Sequence, residues 1–78
     1  MNGDDILVLI KDTLSLQELD MDGEAQWDSL DQVTLIQKLD DKFEGKIDKL
    51  PESSQQELGI AMTPRKVINI LKKNNLVE

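Results

Sequence analysis

The spacing of apolar residues between Ser29 and Glu44 constrains this fold more than any other feature of the chain. Leu35, Leu39 and Phe43 fall four residues apart, and Val33 and Ile36 widen the same stripe. At about 100° per residue these side chains share one helical face. Gly45 follows as a C-terminal stop, free to take the left-handed conformation that closes helices.

Three further segments belong with this helix. Ile6, Leu7, Ile10 and Leu14 recur at three- and four-residue steps and predict a first helix from Asp4 to Leu16. Leu19 to Trp27 contains Asp20, Asp22 and Gly23 and loses the helical period, so it reads as a loop anchored by Leu19 and Trp27. Thr63-Pro64 predicts an N-cap followed by proline at the first helical position, where its missing N–H does no harm. Val67, Ile68 and Leu71 then line a last helix. The stretch from Asp48 to Met62 is ambiguous: Pro51 breaks it, and Ser53 to Leu58 has room for one or two helical turns before Gly59. No alternation long enough for a sheet and no internal repeat appears. The expected fold is all-α, an irregular four-helix bundle of three main helices and one short one, in a single domain spanning 1–78.

Composition narrows the chemistry. The 78 residues include no Cys and no His, which removes thiolate and imidazole catalysis and the usual zinc ligands. A formal charge of −7 repels nucleic-acid backbones and anionic lipid surfaces and favours partners with basic patches. The longest apolar run, Ile6 to Ile10, falls far short of a membrane span, so a cytoplasmic monomer is expected. A domain of this size also buries a thin core and leaves little room for a deep cleft.

The informative string is Trp27-Asp28-Ser29-Leu30-Asp31, where the loop meets the strongest helix. One reading is structural: Ser29, followed three residues later by Gln32, fits a capping box in which each side chain satisfies a free backbone donor. A self-activated hydrolytic serine is excluded, because that role needs an adjacent base and no histidine is present. The acidic run Asp20-Met21-Asp22-Gly23 suggests a calcium loop, but its glycine comes too early for the helix-loop-helix pattern, so no metal site is expected.

The segment from Asp28 to Ile47 resembles the second helix of the acyl and peptidyl carrier protein family. Asp28-Ser29-Leu30 matches that family's attachment motif. The residues Asp31 to Phe43 then follow its apolar spine, ending in an acidic stretch and a phenylalanine. The first and last helices agree in order and length. The resemblance implies an acyl-carrier-protein-like bundle in which Ser29, flanked by Asp28 and Leu30, carries 4'-phosphopantetheine covalently. It implies a chain that is not itself an enzyme. A phosphopantetheinyl transferase would attach the arm from coenzyme A. A loading enzyme and a downstream synthase or transferase would then handle an acyl or aminoacyl thioester. The alternative is an unmodified binding module of the same fold with Ser29 only a helix cap, or an inert subunit whose acidic face merely keeps it soluble.

At helical spacing, Leu30, Thr34, Gln37, Lys38, Asp41 and Glu44 lie opposite the apolar stripe. Leu30 is expected to stand exposed beside Ser29, or else to fold onto Trp27. By resemblance, Asp31, Asp41 and Glu44 would meet basic patches on partner enzymes, with Asp20, Asp22 and Glu24 adding charge from the loop. Three departures from the family pattern point to a specialised pathway more than to housekeeping fatty acid synthesis. Thr34 stands where an acid is common, Lys38 and Lys42 interrupt the acidic face, and Trp27 replaces a small residue. The 48–62 segment is also longer than usual, and would either shape a cargo pocket or form a surface insertion.

Overall fold

The computed structural model describes residues 2–24 and 26–78, and among them it contains four helices and no strand. The first, α1, runs Gly3–Leu14, starting one residue before the expected Asp4. Asn2 caps it: its side chain accepts from the Asp5 amide at 3.0 Å and its own amide donates to the Asp5 carboxylate at 3.0 Å. That reciprocal pair satisfies two otherwise free donors. Ser15 takes the left-handed conformation with φ 55°, ending the helix and leaving Leu16 outside it.

The second helix, α2, spans Ser29–Lys42. Leu35 and Leu39 are fully buried, with Ile36 and Phe43 packed at the core's edge. The stripe is nevertheless rotated from the one the apolar residues trace. Val33, expected in the core, is 54% exposed, and Gln32 is buried in its place. Counting about 100° per residue, Val33 lies about 130° from the centre of the arc formed by Gln32, Leu35 and Leu39. The helix also stops before Glu44. The Glu44 amide bonds to the Asp41 carbonyl at 3.3 Å and the Gly45 amide to the Asp40 carbonyl at 2.8 Å. With φ of 57° at Glu44 and 82° at Gly45, this is a Schellman closure whose left-handed position is held by a glutamate.

The ambiguous stretch forms a real helix, α3, at Glu52–Gly59. Pro51 precedes it, and Gln55 holds the preceding loop by donating to the carbonyls of Asp48 and Leu50, both at 2.9 Å. The last helix, α4, is Pro64–Lys73. It begins as expected, with the Thr63 hydroxyl accepting from the Lys66 amide at 3.2 Å. Val67, Ile68, Ile70 and Leu71 bury its inner face.

In the assembled bundle α1 packs on α2 and α4, while α3 bridges α2 and α4. The buried residues form one cluster that includes Trp27 and Ile47 from the loops, with Leu19 packed against it. The molecule measures 30 × 23 × 20 Å. Among the described residues, no helix is long and apolar enough to cross a membrane.

Candidate functional site

The start of α2 is built differently from the capping box that Ser29 and Gln32 suggest. The N-cap is Asp28, in extended backbone, and its carboxylate accepts from the Asp31 amide at 2.8 Å. Ser29 is therefore the first helical residue and not the cap. Aspartate caps at least as well as serine, and Asp31 three residues later supplies the amide that geometry requires. Ser29 is exposed, and its hydroxyl has no hydrogen-bond partner among the described residues. Leu30 beside it is 78% exposed, so it stands out in solvent and does not fold onto Trp27.

Gln32 points inward and is 2% exposed. Its carboxamide oxygen accepts from the Trp27 indole N–H at 2.5 Å, and its nitrogen donates to the Leu58 carbonyl at 2.6 Å. Trp27 is buried. It covers the start of α2 and at the same time joins a polar relay into α3. Nothing in the local spacing reveals this role, since Gln32 sits 26 residues from Leu58.

The loop before the site is internally braced. The Gln26 side chain donates to the carbonyls of Asp20 at 2.9 Å and Gly23 at 2.7 Å, and accepts from the Asp20 amide at 2.7 Å. The Arg65 amide on α4 donates to the Met21 carbonyl at 3.0 Å, and its guanidinium takes the Asp22 carboxylate in a two-point grip. The hydrogen bond from Arg65 holds the Asp22 carboxyl below the usual carboxylate range; slight desolvation opposes this and the guanidinium charge reinforces it. The same pairing raises Arg65. Asp22 stays exposed on the surface, as expected, but its charge is paired with Arg65 within the chain. No group of three or more acidic residues able to hold a metal ion occurs among the described residues.

The outward side of α2 carries Leu30, Val33, Thr34, Gln37 and Asp41, all exposed, with Asp31 half-buried at the margin. The Thr34 hydroxyl donates back to the Leu30 carbonyl at 3.1 Å. Glu44 is exposed but lies past the end of the helix, in the turn that closes it. Lys38 and Lys42 do not interrupt this side so much as border it. They turn toward α1, where they line a shallow groove with Leu9, Asp12 and Thr13. Residues of the 48–62 segment contribute Glu57, Ile60 and Ala61 to an open groove of about 350 Å³ against Lys66, Asn69 and Ile70 of α4. Ile60 is 76% exposed there.

No protein-family model, curated protein or solved structure gives a significant match to the chain.

Proposed function

We infer that this chain is an acyl carrier protein whose Ser29 receives 4'-phosphopantetheine, and that it presents an acyl or aminoacyl thioester to partner enzymes of a specialised biosynthetic pathway. The observation that carries this reading is the state of Ser29. Its hydroxyl is exposed at the first residue of α2 and unpaired among the described residues, while Asp28 performs the capping that the serine was a candidate for. Ser29 is thus not the cap, and an unmodified binding module of the same fold is the reading against which the proposal is tested.

The residues around Ser29 fit such an arm. An exposed hydroxyl at a helix N-terminus is open to an incoming transferase, and amide donors of the first turn favour a phosphodiester placed there. Asp28 already takes one of those donors and brings a negative charge of its own, so the balancing cations must come from the transferase. In the transfer, Ser29 Oγ attacks the phosphorus that bears the pantetheine of coenzyme A. An O–P bond forms, the diphosphate P–O bond breaks, and adenosine 3',5'-bisphosphate leaves. The serine proton passes to a base of the transferase, since this chain has no histidine. Once attached, the arm supplies a terminal thiol that holds cargo as a thioester.

The exposed Leu30 and Val33, flanked by Asp31, Thr34, Gln37 and Asp41, suit docking of the transferase and of loading and downstream enzymes. Apolar contact at the centre and polar contact at the rim is the usual composition of such a patch. The test is intact mass after incubation with coenzyme A, magnesium and a broad-specificity phosphopantetheinyl transferase. A gain of one phosphopantetheinyl group in the wild type and none in Ser29→Ala is expected. No gain with several transferases would leave an unmodified binding module as the better account.

A further inference from the structure

Among the described residues, Gln32 is a buried side chain that joins three parts of the molecule. It sits on α2, receives the indole N–H of Trp27 from the loop, and donates to the Leu58 carbonyl in the last turn of α3. Trp27 lies two residues before Ser29 and Gln32 three residues after it, so the relay closes a short ring around the Asp28-Ser29 junction. Inside that ring the Asp28 cap fixes the first turn. Outside it the bond to Leu58 pins the ring to α3.

A leucine or methionine would fill the same space without the cost of desolvating a carboxamide. What the amide adds is direction. Both of its hydrogen bonds have to be satisfied at once, which allows one orientation of the Trp27 ring and one register of α2 against α3.

We propose that Gln32 is a positioning residue for modification at Ser29: through Trp27 and Leu58 it holds the loop-to-helix junction in one geometry, so that Ser29 Oγ is presented to the transferase in line with the attacked phosphorus. This rests on the carrier reading above. Reaction rates fall steeply when a nucleophile is held even slightly out of place, whereas docking through Leu30 and its neighbours needs no such alignment. The loss on breaking the relay therefore falls on kcat and not on KM.

The experiment compares wild type, Gln32→Met and Trp27→Phe, singly and combined. Trp27→Phe keeps an aromatic ring in the core while removing the N–H together with part of the indole, so it breaks the relay from the other end and stays informative if Gln32→Met folds poorly. Steady-state modification by the transferase and the thermal melt are measured for each, and the proton exchange of the single indole N–H for wild type and Gln32→Met. Expected is a fall in kcat of about tenfold with KM unchanged in each single variant. The double variant should be no slower than the worse single one, as for two residues acting through one bond. The indole N–H should exchange faster in Gln32→Met than in wild type. Unchanged kcat in folded variants would overturn the proposal, as would additive losses or a loss confined to KM. A wild type that no transferase modifies would overturn the carrier reading and with it the role in transfer. The indole exchange rate would still show separately whether Gln32 holds the junction.

Discussion

Asp28 and Ser29 stand side by side and divide two tasks that the sequence could assign to either. Because the carboxylate of Asp28 takes the Asp31 amide, Asp28→Ala should lower the stability of the domain by about 1 kcal/mol in a urea melt. Ser29→Ala, which removes an unpaired exposed hydroxyl, should stay within about 0.5 kcal/mol of wild type. The reverse ranking would restore Ser29 as the cap. Asp22 offers a second residue-level prediction. Its carboxyl is held below the usual range by Arg65, so the stabilisation is present above that range and lost as pH falls through the lowered value. Arg65 remains charged throughout and adds nothing to the pH dependence. The tether from the loop to α4 should accordingly release only below about pH 4. Carboxyl NMR should show Asp22 titrating at lower pH in the wild type than in Arg65→Gln. Added salt should narrow the difference, since the pair is exposed.

At the scale of elements, the starts of α1, α2 and α4 are legible in their side chains once the correct residue is assigned as cap, whereas α3 begins after Pro51 with no side-chain cap. The Thr63-Pro64 start was plain, because proline at the first helical position has few alternatives. The Asn2 and Asp28 caps were not, because Ser29 offered a competing pattern one residue later and the apolar period of α1 begins after Asn2. The end of α2 carries its own test. Glu44 holds a left-handed conformation that costs a side chain about 1 kcal/mol or more, and Gly45 follows with φ 82°. Glu44→Gly should therefore raise stability by about 0.5 to 1 kcal/mol. Gly45→Ala should lower it by about 1 to 2 kcal/mol, although no atom lies within 4 Å of the added carbon. Equal effects of the two substitutions would mean that the turn relaxes to another form.

For the whole molecule, the relevant contrast is between Leu39 and Leu30 on the same helix. Leu39 is fully buried in the single core cluster, so Leu39→Ala should cost about 2 to 5 kcal/mol, a large share of what a domain this small can possess. Leu30 is 78% exposed, and Leu30→Ala should leave the melt within about 0.5 kcal/mol of wild type while slowing modification by the transferase. A collapse of stability in the second variant would show that Leu30 belongs to the fold and not to a docking face.

Periodicity by itself determined the helical class and the buried roles of Leu35, Leu39, Val67, Ile68 and Leu71. Those outcomes depend on spacing along one chain segment, and spacing is local. The tertiary structure decided what depends on neighbours distant in sequence. It placed Gln32 in the core and Val33 in solvent, because the Leu58 carbonyl and the Trp27 indole offered the carboxamide two partners that no local pattern displays. It paired Asp22 with Arg65 across 43 residues and turned Lys38 and Lys42 toward α1. A helix fixes which residues share a face, but only the packing of the other helices against it fixes which face is buried.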